Sequence, residues 1–152
     1  MTNIKYAKQD YDKETMARAI GRSLPISFKQ SVEICSFIRK KKLEKAKQIL
    51  SDVIKKKAVV PFKRFNSGVG HKKGIAAGRY PIKACNEILR LLNLVEANAQ
   101  YKGFSTGNLF ISHICAHKGT QAFHYGRKRR RRMKRTHVEL YVEEESPVSG
   151  KT

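Results

Sequence analysis

The chain has 152 residues, of which 33 are Lys or Arg and 12 are Asp or Glu, a formal net charge of +21. That length suits one domain rather than two, and 40% apolar residues can fill a modest core, so a wholly disordered chain is not indicated. A compact body with this charge repels itself and calls for a polyanion beside it, and no apolar run is long enough for a membrane-spanning helix.

Residues 1–20 are polar and mixed in charge, and read as an extension that lies on something else or is loose. The start, Met1-Thr2-Asn3-Ile4-Lys5-Tyr6, lacks the apolar stretch of a signal peptide. Arg22-Ser23-Leu24-Pro25-Ile26 predicts a short strand, which Pro25 confines to a sheet edge. A first helix is expected from Ser27, where Ser27 and Gln30 have capping-box spacing. Phe28, Val32, Cys35 and Ile38 form its apolar stripe, and Arg39-Lys40-Lys41-Lys42 ends it with cations at the negative pole of the macrodipole. A second helix buries Leu43, Ala46, Ile49, Leu50, Val53 and Ile54, with Pro61 expected to stop it by Val60. Residues 61–80 then read as one long, basic, Gly-rich loop. A third helix begins at Pro81, carries the stripe Ala84, Cys85, Ile88, Leu91, Leu92 and Val95, and stops at Gly103.

After Gly107 the period falls to two. Leu109, Ile111, His113 and Cys115 point one way; Phe110, Ser112, Ile114 and Ala116 point the other. Val138, Leu140 and Val142 alternate with polar neighbours, so two strands form a β-hairpin with a long arm. The segment Lys118–Arg135 joining them holds nine Lys or Arg and no acid. A loop of that charge is expected not to fold back on itself and to order only on RNA, because ordering costs about 1–2 kcal/mol per residue. The layout is residues 1–15 as an N-terminal extension, 16–145 as one domain with the hairpin arm at 108–145, and 146–152 as a C-terminal tail.

His113, Cys115 and His117 share a strand face, with His137 across the hairpin, a set of zinc-type ligands. Neighbours at i and i+2 lie roughly 6–7 Å apart on a strand. That spacing puts them beyond hydrogen-bond reach of one another, with no fixed fourth ligand and no orienting carboxylate. The expectation is therefore no metal, no cofactor and no catalytic residue. Cys35, Cys85 and Cys115 form no Cys-x-x-Cys pair and read as reduced thiols. The glycines of 68–78 lack a Gly-Lys-Ser/Thr ending, so they read as a flexible basic strap and not a nucleotide loop. The Arg127–Arg135 run reads as a solvated charge run, as a localisation signal or, favoured here, as an RNA-contacting arm, since guanidinium forks match phosphates and stack on unpaired bases and Phe123, His124 and Tyr125 add stacking planes beside it.

Several segments carry a resemblance. They are Ala17-Arg18-Ala19-Ile20-Gly21-Arg22, Val60-Pro61-Phe62-Lys63-Arg64-Phe65-Asn66, Val69-Gly70-His71-Lys72-Lys73-Gly74 and Gly78-Arg79-Tyr80-Pro81-Ile82-Lys83-Ala84. Glu96-Ala97-Asn98-Ala99, Ile114-x-Ala116-His117-Lys118-Gly119 and Thr136-His137-Val138-Glu139 continue the series. Over roughly residues 16–145 the chain resembles the large-subunit ribosomal protein family L-twenty-two, in its archaeal branch. The tip departs from the family: Thr120 to Arg127 runs straight into a nearly pure basic stretch, and Gly126-Arg127 stands where a turn is expected.

The resemblance implies an α+β fold, a small three-stranded antiparallel sheet packed on three helices, with a long protruding basic β-hairpin. It implies a non-enzymatic component of the cytoplasmic large ribosomal subunit that binds large-subunit ribosomal RNA, touches neighbouring ribosomal proteins, aids assembly and sends its hairpin to the peptide exit tunnel. It is not expected to be a homo-oligomer. The RNA-contacting residues expected are Arg18, Arg22, Lys63, Arg64, His71, Lys72, Lys73, Arg79, Tyr80, Lys83, Lys118, Phe123, Tyr125, Arg127, Lys128, Arg129, Arg130, Arg131, Arg132, Lys134 and Arg135. The competing readings are a free RNA chaperone or regulator, and a metal-dependent enzyme using the His/Cys strand.

Overall fold

The computed structural model describes residues 6–144. The expected tail at 146–152 lies outside them. Strand β1 (Met16–Leu24) is followed by helices α1 (Phe28–Ile38) and α2 (Leu43–Ile54). Short strands β2 (Val60–Pro61), β3 (His71–Lys72) and β4 (Ala76–Arg79) come next, then helix α3 (Ile82–Tyr101) and the hairpin strands β5 (Leu109–Lys118) and β6 (Thr136–Glu144). The main sheet has the order β1-β6-β5, antiparallel throughout. Its inner face, carrying Ala17, Ala19, Ile111, Ile114, Val138, Leu140 and Val142, packs on the helices.

β1 begins at Met16, six residues before the expected strand, and Pro25 follows it. The sequence pattern concealed this because its polarity is inverted. Small residues, Ala17 and Ala19, face the helices, where α3 packs close. The larger Arg18 and Ile20 lie on the opposite face. That outer face is covered by residues 6–15, the described part of the N-terminal segment, while residues 16–20, expected to be part of an extension, are strand. Tyr141 is fully buried there, its hydroxyl donating to the Lys8 carbonyl at 2.9 Å, with the rings of Tyr6 and Tyr11 edge-on at 5.6 and 6.0 Å.

α1 starts where expected, but the capping box does not form: Ser27 makes no side-chain cap bond. Ser31 Oγ instead donates back to the Ser27 carbonyl at 2.9 Å. Its buried residues are Ser31, Glu33, Ile34, Cys35 and Ile38, not the single expected stripe, because the helix lies between the sheet and the chain at 62–65. α2 ends at Ile54, well before Val60. Lys56 takes a left-handed conformation (φ 61°), and the amides of Lys57 and Ala58 both donate to the Asp52 carbonyl. The chain must leave the helix early because Val60 and Pro61 are needed extended, paired with Arg79 and Gly78.

The expected loop at 61–80 therefore contains a second small sheet, ordered β2-β4-β3. Gly78 permits it: a Cβ there would lie 2.5 Å from Val59 Cγ1. α3 matches expectation, running from Pro81 as N-cap to a stop at Gly103 (φ 81°).

Strand β5 carries a bulge at Ser112, between the pairs Ile111–Val142 and His113–Tyr141. The extra residue shifts the alternation by one. Leu109 and Ile111 are thus joined on the inner face by Ile114 and Ala116, while His113, Cys115 and His117 move to the outer face opposite Tyr141, Glu139 and His137. Beyond β5 the arm does fold back on itself, against expectation. Gly119 donates to Arg135, Met133 to Ala122 and His124 to Arg131, and Phe123 bridges Arg132. The turn uses positive φ at Gly126 and Arg130. Paired backbone lets the charged side chains point outward into solvent, and that relieves the repulsion that a compact loop would suffer.

Candidate nucleic-acid interface

The basic side chains of the interface come from four separate parts of the chain, brought together by the two sheets and the start of α1. A groove of about 410 Å³ is lined by Ser27, Lys29, Gln30, Phe62, Arg64, Phe65, Ser67, Arg79 and Lys134. It continues into a second of about 530 Å³ lined by Ser27, Phe28, Lys29, Phe65, Lys118, Gln121, Lys134 and Arg135. Among the described residues, no acidic side chain lines either groove. Lys29 and Phe65 were not singled out by sequence reasoning. Nothing local marks them, because their role depends on α1 beginning beside the base of the arm.

Glu33 gives the 62–66 segment its shape. This carboxylate is only 3% exposed, and it accepts the amides of Lys63, Arg64 and Phe65 at 3.1, 2.8 and 2.7 Å. The backbone is thus turned inward, and the Lys63 and Arg64 side chains are turned out. Phe65 packs edge-on to Phe28, with Arg64 and Lys29 each 5.6 Å from its ring. Arg79 reaches the Gly68 carbonyl at 3.3 Å and lies over Phe62, and Lys72 lies over Tyr80. His71, Lys73 and Lys83 are exposed but line neither groove, and Arg22 is exposed next to Ser23, whose amide meets His137 near the arm base.

On the arm, Arg127, Lys128, Arg129, Arg130, Arg131, Arg132 and Lys134 are all exposed. Phe123 is 58% and Tyr125 87% exposed, with Arg132 stacked 5.3 Å from the Phe123 ring. The described ion pairs of Lys8 with Glu143, Lys47 with Glu96 and Arg90 with Glu87 all lie away from the arm tip. Arg18 is placed differently from its expectation. Its guanidinium is held between the rings of Tyr6 at 4.3 Å and Tyr11 at 4.0 Å, so it fastens the N-terminal strap to the sheet.

The outer face of the main sheet overturns the geometry expected for the His/Cys strand. Cys115 Sγ lies 2.9 Å from His117 Nε2 and donates to Glu139 Oε1 at 3.0 Å. His113 Nε2 is 3.3 Å and His117 Nε2 3.5 Å from the same oxygen. The side chains of Cys115 and His117 lean together to close the i, i+2 gap, and register brings in a carboxylate that spacing could not reveal. His137 stands apart, accepting the Ser23 amide at 3.0 Å. Burial pushes the Glu139 carboxyl up, but hydrogen bonds from Cys115, the Ala7 amide, His113 and His117 outweigh it and hold it below the ordinary carboxylate value. Burial, and then Glu139, push the Cys115 thiol up.

An acid-free groove with aromatic walls, running into an exposed arginine arm, can neutralise phosphates along a folded polyanion and stack on unpaired bases. Comparison with known proteins agrees. The chain matches the family described as Ribosomal protein L22p/L17e over residues 19–143. It is similar to the large ribosomal subunit protein uL22 of Archaeoglobus fulgidus, 43% identical over 151 residues covering 94% of this chain and 97% of the relative. Similarity to the uL22 protein of Methanosphaera stadtmanae reaches 50% identity over 117 residues, covering 75% of this chain and 76% of the relative. The Methanococcus aeolicus uL22 protein is 43% identical over 152 residues, covering 95% of this chain and 99% of the relative.

Proposed function

Because the chain belongs to the ribosomal protein L22p/L17e family, we propose that it is a structural, non-enzymatic constituent of the cytoplasmic large ribosomal subunit. It binds large-subunit ribosomal RNA, contacts other ribosomal proteins rather than copies of itself, and supports assembly. The observation that carries the reading is the acid-free groove continuous with the arm. Lys29, Arg64, Arg79, Lys118, Lys134 and Arg135 there face one surface, so one RNA fold can engage the body and the arm base together. The family resemblance supports placing the arm tip, with Arg127–Arg132, along the wall of the peptide exit tunnel. Arginine suits that place because its planar fork bridges phosphates and stacks on bases.

The test is sedimentation of the tagged chain from cells on a sucrose gradient after a high-salt wash. Co-sedimentation with large subunits is expected; recovery only at the top of the gradient supports a free RNA chaperone and overturns the proposal. Replacing Arg129, Arg130, Arg131 and Arg132 together with Ser leaves the core untouched, since all four are exposed. That variant should fold normally and incorporate poorly or alter the tunnel wall. Normal incorporation with an unchanged tunnel map would refute the arm's role.

A further inference from the structure

The outer face of the main sheet holds a cluster that RNA binding does not use. We propose that His113, Cys115, His117 and Glu139 bind one divalent transition-metal ion of the zinc class at the root of the arm. Four potential donors of three chemical types, two imidazole nitrogens, a sulfur and a carboxylate oxygen, converge from two adjacent strands. The donor atoms of His113, Cys115 and Glu139 all lie within 4.8 Å of one another. Glu139 Oε1 is the hub, 3.0 Å from Cys115 Sγ and 3.3 and 3.5 Å from the two Nε2 atoms, and Cys115 Sγ lies 2.9 Å from His117 Nε2. With metal–sulfur bonds of about 2.3 Å and metal–nitrogen or –oxygen bonds of about 2.0–2.2 Å, a tetrahedron has donor–donor edges of roughly 3.3–3.6 Å. The three separations from Glu139 Oε1 and the one from Cys115 to His117 lie at 2.9–3.5 Å, near those edges, and binding would draw His113, within 4.8 Å of Cys115, toward the other donors by rotation of its side chain.

The surroundings favour an ion of this kind. Glu139 is 2% exposed, and its second oxygen, Oε2, accepts the Ala7 amide at 3.0 Å, so the carboxylate is held by an outer partner. His117 is partly exposed and gives an entry path. Sulfur and imidazole donors select zinc-like ions over magnesium or calcium, which prefer oxygen-only shells. On binding, the Cys115 thiol loses to solvent the proton it now donates to Glu139, and the sulfur's electron pair goes to the metal. The thiolate and carboxylate together then balance the ion's charge, which the neighbouring Arg39 would otherwise oppose; its guanidinium bonds the Ile114 carbonyl at 3.0 Å. The ion would tie β5, β6 and, through Ala7, the N-terminal strap together where the arm leaves the body.

The full-length chain, freed of metal with a chelator and dialysed, is titrated with Co²⁺ and then Zn²⁺. One equivalent of Co²⁺ should give the visible bands of a four-coordinate site and a thiolate-to-cobalt charge-transfer band, both displaced by Zn²⁺. Cys115→Ser should abolish the charge-transfer band, and Cys35→Ser should keep it. His117→Gln, at a partly exposed position, should weaken Zn²⁺ by at least about tenfold, a loss seen even for outer partners, with an unchanged circular-dichroism spectrum. Absence of the thiolate band in the folded wild-type chain overturns the site, as does its survival in Cys115→Ser. Unchanged Zn²⁺ affinity in folded His117→Gln removes that residue as a ligand and overturns the four-donor site.

Discussion

Replacing Glu33 with Ala should cost more than any other single change at the interface, although Glu33 lines neither groove. Three backbone amides, of Lys63, Arg64 and Phe65, converge on its buried carboxylate. Hydrogen bonds to charged groups contribute about 1.5–3 kcal/mol each, which bounds the loss at roughly 5–9 kcal/mol if all three amides were left dry. They would not be. Lys63 and Arg64 are exposed, so water can reach the released amides once the segment loosens. The expected destabilisation is therefore about 2–4 kcal/mol. Glu33→Gln keeps the shape and one acceptor oxygen, but its amide N–H₂ opposes a backbone donor, so about half that loss is expected. Urea unfolding followed by circular dichroism measures the midpoint shift, with the m-value unchanged. Native-state amide exchange at 63–65 should accelerate by more than about tenfold, the equivalent of roughly 1.4 kcal/mol. RNA affinity of the folded variant should also drop, because Arg64 and Phe65 lose their fixed place in the groove. A Glu33→Ala chain within about 0.5 kcal/mol of wild type, with unaltered exchange at 63–65, would refute the argument.

The arm should exchange its amides quickly in the free protein and slowly in the ribosomal particle, since its ladder is sparse and its side chains are exposed; strong protection at 119–135 without RNA would contradict this. Gly78→Ala places a Cβ 2.5 Å from Val59 Cγ1 and 3.2 Å from Lys72 Cγ, and should destabilise by about 1–3 kcal/mol in thermal unfolding. Burial pushes the Cys35 thiol from 9.0 up to about 12, so the fold favours the neutral form. That contribution is complete below pH 9.0 and is lost as pH rises toward 12, so the stability advantage of wild type over Cys35→Ala should shrink by about 1–1.5 kcal/mol between pH 8 and pH 10.

Local patterns settled what depends on near neighbours in the chain. α3 was legible from end to end, because a Pro start, a helical apolar stripe and a Gly stop all act within the helix itself. The hairpin strands and the acid-free basic arm were equally plain, and segments matching a family carried the functional reading. The tertiary structure decided what depends on partners distant in sequence. β1 was hidden because its inner positions hold alanine, small enough for α3 to pack close, and only pairing with β6 reveals which face is which. The second small sheet needed residues from 60 and 79 to meet, and no period marks a two-residue strand. The resemblance implies an RNA contact at Arg18, and two tyrosines from the strap enclose it. The groove combines side chains from α1, the 62–67 segment, Arg79 and both sides of the arm base, so none of them carries the signal alone. The bulge at Ser112 and the register of β6 set Glu139 against His113, Cys115 and His117. Spacing along one strand is local, but which residue faces it across the sheet is fixed by burial of the whole inner face, since a slip of one residue would turn every apolar side chain to the wrong side.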